Sequence, residues 1–303
     1  MTMLDERSKH LRRQIIRALV GGGRGHVGPS FSLVEIMRVL YDDVLQPEDI
    51  CILSKGHGCL AQYVMLVDKG LVDEQELDRF CRDGALLGGH PEHHVPGIAV
   101  STGSLGHGLS LGIGFAISDR TRRVFVVVGD GEINEGSIWE AALCAGKHHL
   151  SNLTVIVDYN KRQSYGPTEE VQPLEPLKDK WRAFGFYVAS IDGHDTDALW
   201  PALEGDMMEV TTFQDKKRNY VKVDHGPGWE PMPRAIICNT VKGKGIPEVE
   251  NHPFWHHKDN FTAEDGARLL AALDELLPCD CGCGGYCKTG TMEEMHPEDY
   301  RDA

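Results

Sequence analysis

The sequence is poor in several things, and each shortage excludes a class of function. It has no apolar run approaching the roughly 20 residues a membrane-spanning helix needs, and its first residues, MTMLDERSKHLRRQ, read as a charged helix start and not as a signal peptide. A cytoplasmic protein with no membrane partner is the expectation. Positive charge is scarce as well: 31 Lys and Arg face 46 Asp and Glu, a net charge of −15. Nucleic acid is therefore not the expected partner, because a phosphate backbone demands a cationic surplus. A small phosphorylated ligand stays open, since a local site can hold it against the overall field. No internal repeat is present.

The length, 303 residues, allows one large domain or two modest ones. Four segments read as buried strands: Val124–Val128, Leu153–Asp158, Tyr187–Ile191 and Ala235–Val241. Helical patterns separate some of them, at Ser137–His149, Leu177–Phe184 and Asp195–Leu203. Strand–helix alternation predicts an α/β fold with a parallel sheet flanked by helices. Before the first strand, Glu6–Val20, Ser32–Tyr41, His57–Asp68 and Asp73–Cys81 carry apolar residues at three- and four-residue spacing and read as helices. Leu105–Ile117 holds glycines at 106, 108, 112 and 114. They would weaken an isolated helix, so they are read as places where another backbone or a ligand comes close. The domain is expected over residues 1–278, closing with a helix around Ala263–Leu277. A polar excursion over 205–233 interrupts it, and a Cys-rich, acidic tail follows over 279–303.

Nine cysteines are present. Cys51, Cys59, Cys81, Cys144 and Cys238 sit singly among apolar neighbours and read as reduced, buried small hydrophobes. Cys279, Cys281, Cys283 and Cys287 cluster in PCDCGCGGYCKTG. Two readings stay open for them: a soft-metal site such as zinc, or an oxidation-prone tail or partner contact.

The chemistry is concentrated where strands end. VFVVV runs into GDGEINEGSIWEAA, placing Asp130 between Gly129 and Gly131 with Glu132 and Glu135 close behind. The next strand, LTVIVDYNKRQ, delivers Asp158 and Asn160. Ligands of open parallel sheets bind beyond the carboxyl ends of the strands. A carboxylate there is costly unless something positive joins it, and a hard cation such as Mg²⁺ or Ca²⁺ takes carboxylate, amide, carbonyl and phosphate oxygens. Asp130, Asn160 and a backbone carbonyl just beyond would supply half an octahedron, and a diphosphate part of the rest. Asp158 and Glu132 either shape that site or are solvated. Lys242 and Lys244 either meet phosphate or lie in a solvated loop.

GDG followed after 28 residues by Asn160 is similar to the thiamine-diphosphate signature of transketolase-like enzymes. RGHVGPSFSLVEIMRVLY, ILSKGHGCLAQY, GGHPEHHVPGIAVSTGSLGHGLSLGIGFA, DYNKRQSYGPT and TVKGKGIPEVENHPFWHHK also resemble transketolase segments, in transketolase order, over roughly residues 6 to 275. The resemblance implies the thiamine-diphosphate-binding fold. It also implies transfer of a two-carbon ketol unit from a ketose or ketose phosphate to an aldose, with thiamine diphosphate as the electron sink.

Position by position, the resemblance implies Asp130, Asn160 and the carbonyl of Arg162 as metal ligands, and Gly129 and Gly131 against the diphosphate. His57 falls near the diphosphate and thiazolium, and His26 and His90 at the donor's hydroxyls. Gly103 and Leu105 belong to the loop touching the aminopyrimidine, with Ser104 where the family usually has proline. Glu135 matches the acid that links two active sites across a dimer. A further histidine follows the KGxG segment; WHHK favours His256, with His252 and His257 as neighbours. His93, His94, His107, His148 and His149 are read as structural.

A whole transketolase is about twice this long, and the half resembled here lacks the pyrimidine-binding domain. The resemblance therefore implies a separate partner chain, in an α2β2 heterotetramer, with phosphate recognition mostly on the partner. Two alternatives follow: an E1-like component passing a two-carbon unit to a lipoyl or carrier-protein thiol, and a non-catalytic regulatory subunit.

Overall fold

The structure is a computed structural model that describes residues 4–164, 166–205 and 232–275. Five strands form one parallel sheet: β1 (Ile50–Leu53), β2 (Val124–Gly129), β3 (Leu153–Tyr159), β4 (Tyr187–Asp192) and β5 (Arg234–Asn239), in the order β1-β2-β3-β5-β4. The four strands expected from the sequence are all present; β1 was not expected. ICIL is only four residues long and runs straight into SKGHG, so periodicity alone gives it no signature. Around the sheet lie α1 (Glu6–Gly22), α2 (Val27–Ser32), α3 (Val34–Val39), α4 (Cys59–Asp68), α5 (Gln75–Asp78), α6 (Gly108–Ser118), α7 (Gly136–Lys147), α8 (Thr168–Val171), α9 (Leu177–Ala183), α10 (Thr196–Glu204) and α11 (Ala263–Asp274).

Strand residues alternate between two cores, as the two-residue period of a strand requires. Phe125, Val127, Ile156, Ile236 and Cys238 face one side and pack with Leu11, Ile15, Met37, Leu199 and Leu269. Val124, Val126, Val128, Val155, Val157 and Ile237 face the other and pack with Leu109, Ile138, Ala142 and Trp181. With both faces covered, the middles of the central strands are apolar on both sides, at Val124–Val128, Val155–Val157 and Ala235–Cys238.

Local sequence fixes the helix limits. Asp5 accepts from the Ser8 amide at 2.8 Å to start α1, and Gly23, at φ 71°, ends it. Asp195 caps α10 by accepting from the amides of Asp197 and Ala198. Thr262 and Asp265 form a reciprocal capping box at α11. Two expected helices differ. The Ser32–Tyr41 pattern forms α3, preceded by the separate α2 that ends at Ser32, and runs into a π-helical turn over Leu40–Val44, and the Asp73–Cys81 pattern shrinks to α5. The Leu105–Ile117 segment begins its helix only at Gly108, because Gly106 adopts φ 84°. Within α6, a Cβ on Gly112 would collide with Val126, so the expected close approach is of the helix onto β2.

Cys51, Cys59 and Cys238 are buried free thiols, while Cys81 and Cys144 are half-buried. The Cys279–Cys287 cluster, the acidic tail and nearly all of the 205–233 excursion lie outside the described residues. Among the described residues, no helix is long and apolar enough to cross a membrane.

Candidate active site

The sheet register sets the site. Gly129 pairs with Asp158 and Tyr159 with Asn239, so β2, β3 and β5 end level and present Asp130, Asn160 and Thr240 at one edge. The two acids at that edge are buried to similar depth, with Asp130 3% and Asp158 0% exposed, but they are treated differently. Asp158 is closed in by protein. It pairs with the buried Lys55 and accepts from Thr240, from Ser32 Oγ at 2.6 Å and from Asn160 Nδ2 at 3.3 Å. Burial pushes its carboxyl up, but the Lys55 charge and these donors outweigh burial and hold it below the ordinary value.

Asp130 has no cation bonded to it among the described residues. It accepts from the amides of Gly131 (2.7 Å) and Lys161 (2.5 Å), with Thr168 Oγ1 at 3.4 Å. Burial, and then the nearby Asp158 charge, push its pKa up to about 6. A buried carboxylate in that condition is an electrostatic demand for a cation. Asn160 turns its Oδ1 toward the chain just beyond, accepting from the Arg162 amide at 3.0 Å.

Asp130 and Asn160 bound a cavity of about 370 Å³, whose wall also includes His26, Lys55, His57, Gly103, Leu105, Gly129, Gly131, Glu132, Glu135, Arg162, Gln163, Ser164, Lys242 and His256. Glu132 reaches the wall but is already used. One carboxylate oxygen accepts from Ser54 Oγ at 2.5 Å and the Gly106 amide at 2.9 Å, the other from the Gly129 amide at 3.1 Å. The alternative that Glu132 is solvated is corrected: it is buried and fastens the Gly106 turn to the end of β2. Glu135 is exposed at the start of α7. The reading of Lys242 and Lys244 as a solvated loop is corrected too, since they are only 4% and 1% exposed. Lys242 Nζ donates to the Gln163 carbonyl at 3.1 Å, and burial followed by the neighbouring Lys55 charge lowers it to about 8.

Histidines gather on the open side. The ring of His26 lies 5.5 Å from His57, 6.3 Å from His90, 5.5 Å from His256 and 4.4 Å from His257, and His57 lies 5.7 Å from His256. Burial lowers His26 and His256 to about 3 and pushes His57 and His90 down as well; neighbouring cations and imidazoles add to the effect at His26, His57 and His256. These four are therefore neutral imidazoles near pH 7, able to donate from one nitrogen and accept at the other. Of the three candidates after KGxG, His252 is exposed and caps a turn through Phe254. His256 and His257 both reach the cluster. His90 is itself exposed at the rim, where a Cβ on Gly103 would come within 3.2 Å of its ring.

The cavity suits a metal diphosphate. His256 Nδ1 and Gln163 Nε2 are buried without a hydrogen-bond partner, the kind of unmet polar atom that a bound ligand or water satisfies. Lys55 and Lys242 supply positive charge, and Gly129 and Gly131 offer bare backbone. Among the described residues no three His, Cys, Asp or Glu side chains converge on a metal position. The available oxygens are those of Asp130, Asn160 and the Arg162 carbonyl, a set that a ligand's own phosphate oxygens would have to complete. Sequence reasoning did not single out Lys55, Gln163 or Ser164, whose Oγ lies 2.9 Å from His256 Nε2. Only the SKGHG motif drew attention to the neighbourhood of Lys55, and nothing in the sequence pointed to the other two.

The family profile described as "Transketolase, thiamine diphosphate binding domain" matches residues 8–265. The chain is 39% identical over 286 residues to the 6-deoxy-6-sulfo-D-fructose transketolase subunit SqwG of Clostridium sp. strain MSTE9, covering 90% of this chain and 96% of the relative. It is 36% identical over 288 residues to an apulose-4-phosphate transketolase subunit from Actinobacillus succinogenes, covering 90% and 95%. Transketolase from Leishmania mexicana superposes with a TM-score of 0.74 at 27% identity, covering 90% of this chain but 42% of that one, so the chain spans less than half of this solved transketolase. The chain belongs to the transketolase family of thiamine-diphosphate-dependent transferases and carries that family's thiamine-diphosphate-binding domain.

Proposed function

We propose that this chain is the cofactor-anchoring subunit of a two-chain transketolase, moving a two-carbon ketol unit from a ketose to an aldose. One observation carries the reading: buried Asp130, with no cation bonded to it among the described residues, opens into the same cavity as His26, His57 and His256. Thiamine diphosphate, when bound, supplies the electron sink that lets the ketose carbon–carbon bond break. Asp130, Asn160 and the Arg162 carbonyl would hold its divalent cation, Mg²⁺ or Ca²⁺. Gly129 and Gly131 admit the diphosphate, and Lys242 and Lys55 offset its charge. Gly103, Ser104 and Leu105 would line the ring-binding side. The neutral imidazoles of His26, His57, His90 and His256 bind and orient the sugar hydroxyls and carry protons to and from them. His257, 4.4 Å from His26, belongs to the same group. Exposed Glu135 suits a role between paired active sites in an α2β2 assembly.

The two curated relatives are named as subunits, which supports a separate pyrimidine-binding partner for this chain as well. Their names refer to apulose 4-phosphate and to 6-deoxy-6-sulfo-D-fructose, which favours a sugar bearing a phosphate or sulfonate as substrate here. The absence of a membrane-length helix among the described residues supports a cytoplasmic location.

The test is co-expression with the partner chain, adding thiamine diphosphate, Mg²⁺, xylulose 5-phosphate and ribose 5-phosphate, and reading the seven-carbon product by mass spectrometry. Product from the pair, and none from either chain alone, is expected. Failure of the pair with every ketose donor offered, despite retained cofactor binding, would remove the ketol-transfer reading.

A further inference from the structure

Asn160 is held at both ends of its side-chain amide. Its Nδ2 donates to Asp158 Oδ2 at 3.3 Å, and its Oδ1 accepts from the Arg162 amide at 3.0 Å. Between the two, Lys161 adopts φ 63°, a left-handed conformation that side chains such as lysine seldom take. The Lys161 amide donates to Asp130 Oδ2 at 2.5 Å. One tight turn thus presents consecutive backbone amides to Asp130 and to Asn160.

The two faces of a carboxamide have nearly the same shape and opposite chemistry: the oxygen accepts and the NH2 donates. Only the oxygen can meet a cation, so a ligating asparagine must be kept from turning over. Asp158 is placed to do this. It is fully buried, and each hydrogen bond it makes among the described residues is an accepted one. Oδ2 takes Lys55 Nζ, Ser32 Oγ at 2.6 Å and Asn160 Nδ2, while Oδ1 takes Thr240 Oγ1. An ionised carboxylate has no hydrogen to give. Turning Asn160 over would set its oxygen against Asp158 Oδ2 and its NH2 against the Arg162 N–H. Two hydrogen bonds would be lost and two like groups would face each other.

We infer that Asp158 is a positioning residue for the cation site: its carboxylate holds Asn160 Nδ2 and so commits Asn160 Oδ1 to the metal. The Arg162 amide uses one lone pair of that oxygen, and the second is left for the cation. Lys55, Ser32 and Thr240 occupy the remaining acceptor positions of Asp158. The second acid at this sheet edge therefore orients a ligand and does not compete to be one. The inference rests on the proposed cation site of Asp130 and Asn160.

The test is calorimetric titration of thiamine diphosphate into the two-chain complex, with and without Mg²⁺, on three variants whose folding is checked by circular dichroism. Asn160→Asp is the discriminating change, because it keeps the shape and offers oxygen at both positions. Were Asn160 only an oxygen donor, this variant would bind as well as wild type or better, since carboxylate is a good Mg²⁺ ligand. Opposite Asp158 it should instead lose metal-dependent affinity by about tenfold or more. Asp158→Asn, whose amide can present either face, should lose about 10- to 100-fold. The exchanged pair, Asp158→Asn/Asn160→Asp, restores one donor facing one acceptor at the same total charge. It should recover to within about fivefold of wild type, a rescue that a merely structural Asp158 would not give. Should Asp158→Asn fail to fold, the comparison of Asn160→Asp with the exchanged pair still decides. Undiminished affinity in Asn160→Asp, or an exchanged pair no better than Asn160→Asp, would overturn the inference while leaving the cation site in place. Wild-type binding indifferent to Mg²⁺ would overturn the cation site and the inference with it.

Discussion

The described residues hold two clusters of buried charge, and only one is complete. In the first, Arg12 donates to both oxygens of Glu35, at 2.7 and 3.0 Å, and to the carbonyls of Lys244, Ser8 and Phe31. Glu35 also meets His194 Nδ1 at 2.8 Å, and His194 Nε2 accepts the Val241 amide at 2.8 Å. Burial raises the Glu35 carboxyl, but Arg12 and His194 outweigh it and hold Glu35 well below the usual range. In the second, Asp130 is equally buried, yet the charge nearest in effect is another acid, Asp158, and its carboxyl is pushed the other way. Depth of burial does not distinguish a structural charge from a functional one. The sign of the compensation does: the complete cluster joins α1, α3 and the Val241 loop, and the incomplete one fits the proposed cation site.

The contrast breaks most visibly at the complete cluster. Glu35→Gln leaves the Arg12 charge buried without its partner, and urea unfolding should show a loss of about 3–5 kcal/mol near pH 7. The sign with pH follows from the lowered carboxyl. Its stabilisation is full above the ordinary value of 4.5 and is withdrawn as pH falls toward the folded-state value. Wild type should therefore lose its advantage over Glu35→Gln progressively below about pH 4.5.

The corresponding change at the incomplete cluster should have the opposite sign. Asp130→Asn removes a charge that no cation among the described residues is bonded to, so cofactor-free stability should stay level or rise by about 1 kcal/mol. A loss comparable to that of Glu35→Gln would mean that Asp130 is structural. The histidines sharpen the same distinction. His194→Ala should cost about 1–3 kcal/mol of stability by stranding Glu35 and the Val241 amide. His256→Ala should leave the melting curve in place and lower kcat/KM on the order of 100-fold. The smallest effect is expected at His93, which is exposed and, among the described residues, hydrogen-bonded to Ser101 alone. His93→Ala should change stability by no more than about 0.5 kcal/mol and activity by less than about twofold.

The parts of this organisation that follow local rules were legible in the sequence. VFVVVGDG and LTVIVDYN announce strands because both faces of the sheet are covered, and the helices expected from Asp195 and around Ala263 begin where Asp195 and Thr262 cap them in the structure. The positions of Asp130 and Asn160 followed from the rule that ligands sit at strand ends. What escaped depends on contacts across the chain. β1 is too short to carry a pattern and exists through its pairing with β2. The placement of β5 between β3 and β4 is a choice among crossovers that no segment encodes alone. Whether Glu132 or Asp158 is used up by protein donors depends on Ser54, Lys55 and Thr240, which arrive from other elements. His257 could not be separated from His256 by spacing, because a turn brings both to His26.

The central claim is that Asp130 and Asn160 form the protein's half of a metal site completed by thiamine diphosphate. Calorimetric titration of the cofactor into the two-chain complex, with and without Mg²⁺, tests it most directly. Wild type should bind tightly only with the metal present. Asp130→Ala and Asn160→Ala should each weaken metal-dependent binding by about 100-fold, with unchanged far-ultraviolet circular dichroism. Wild-type affinity in either folded variant, or binding indifferent to Mg²⁺, would contradict the account.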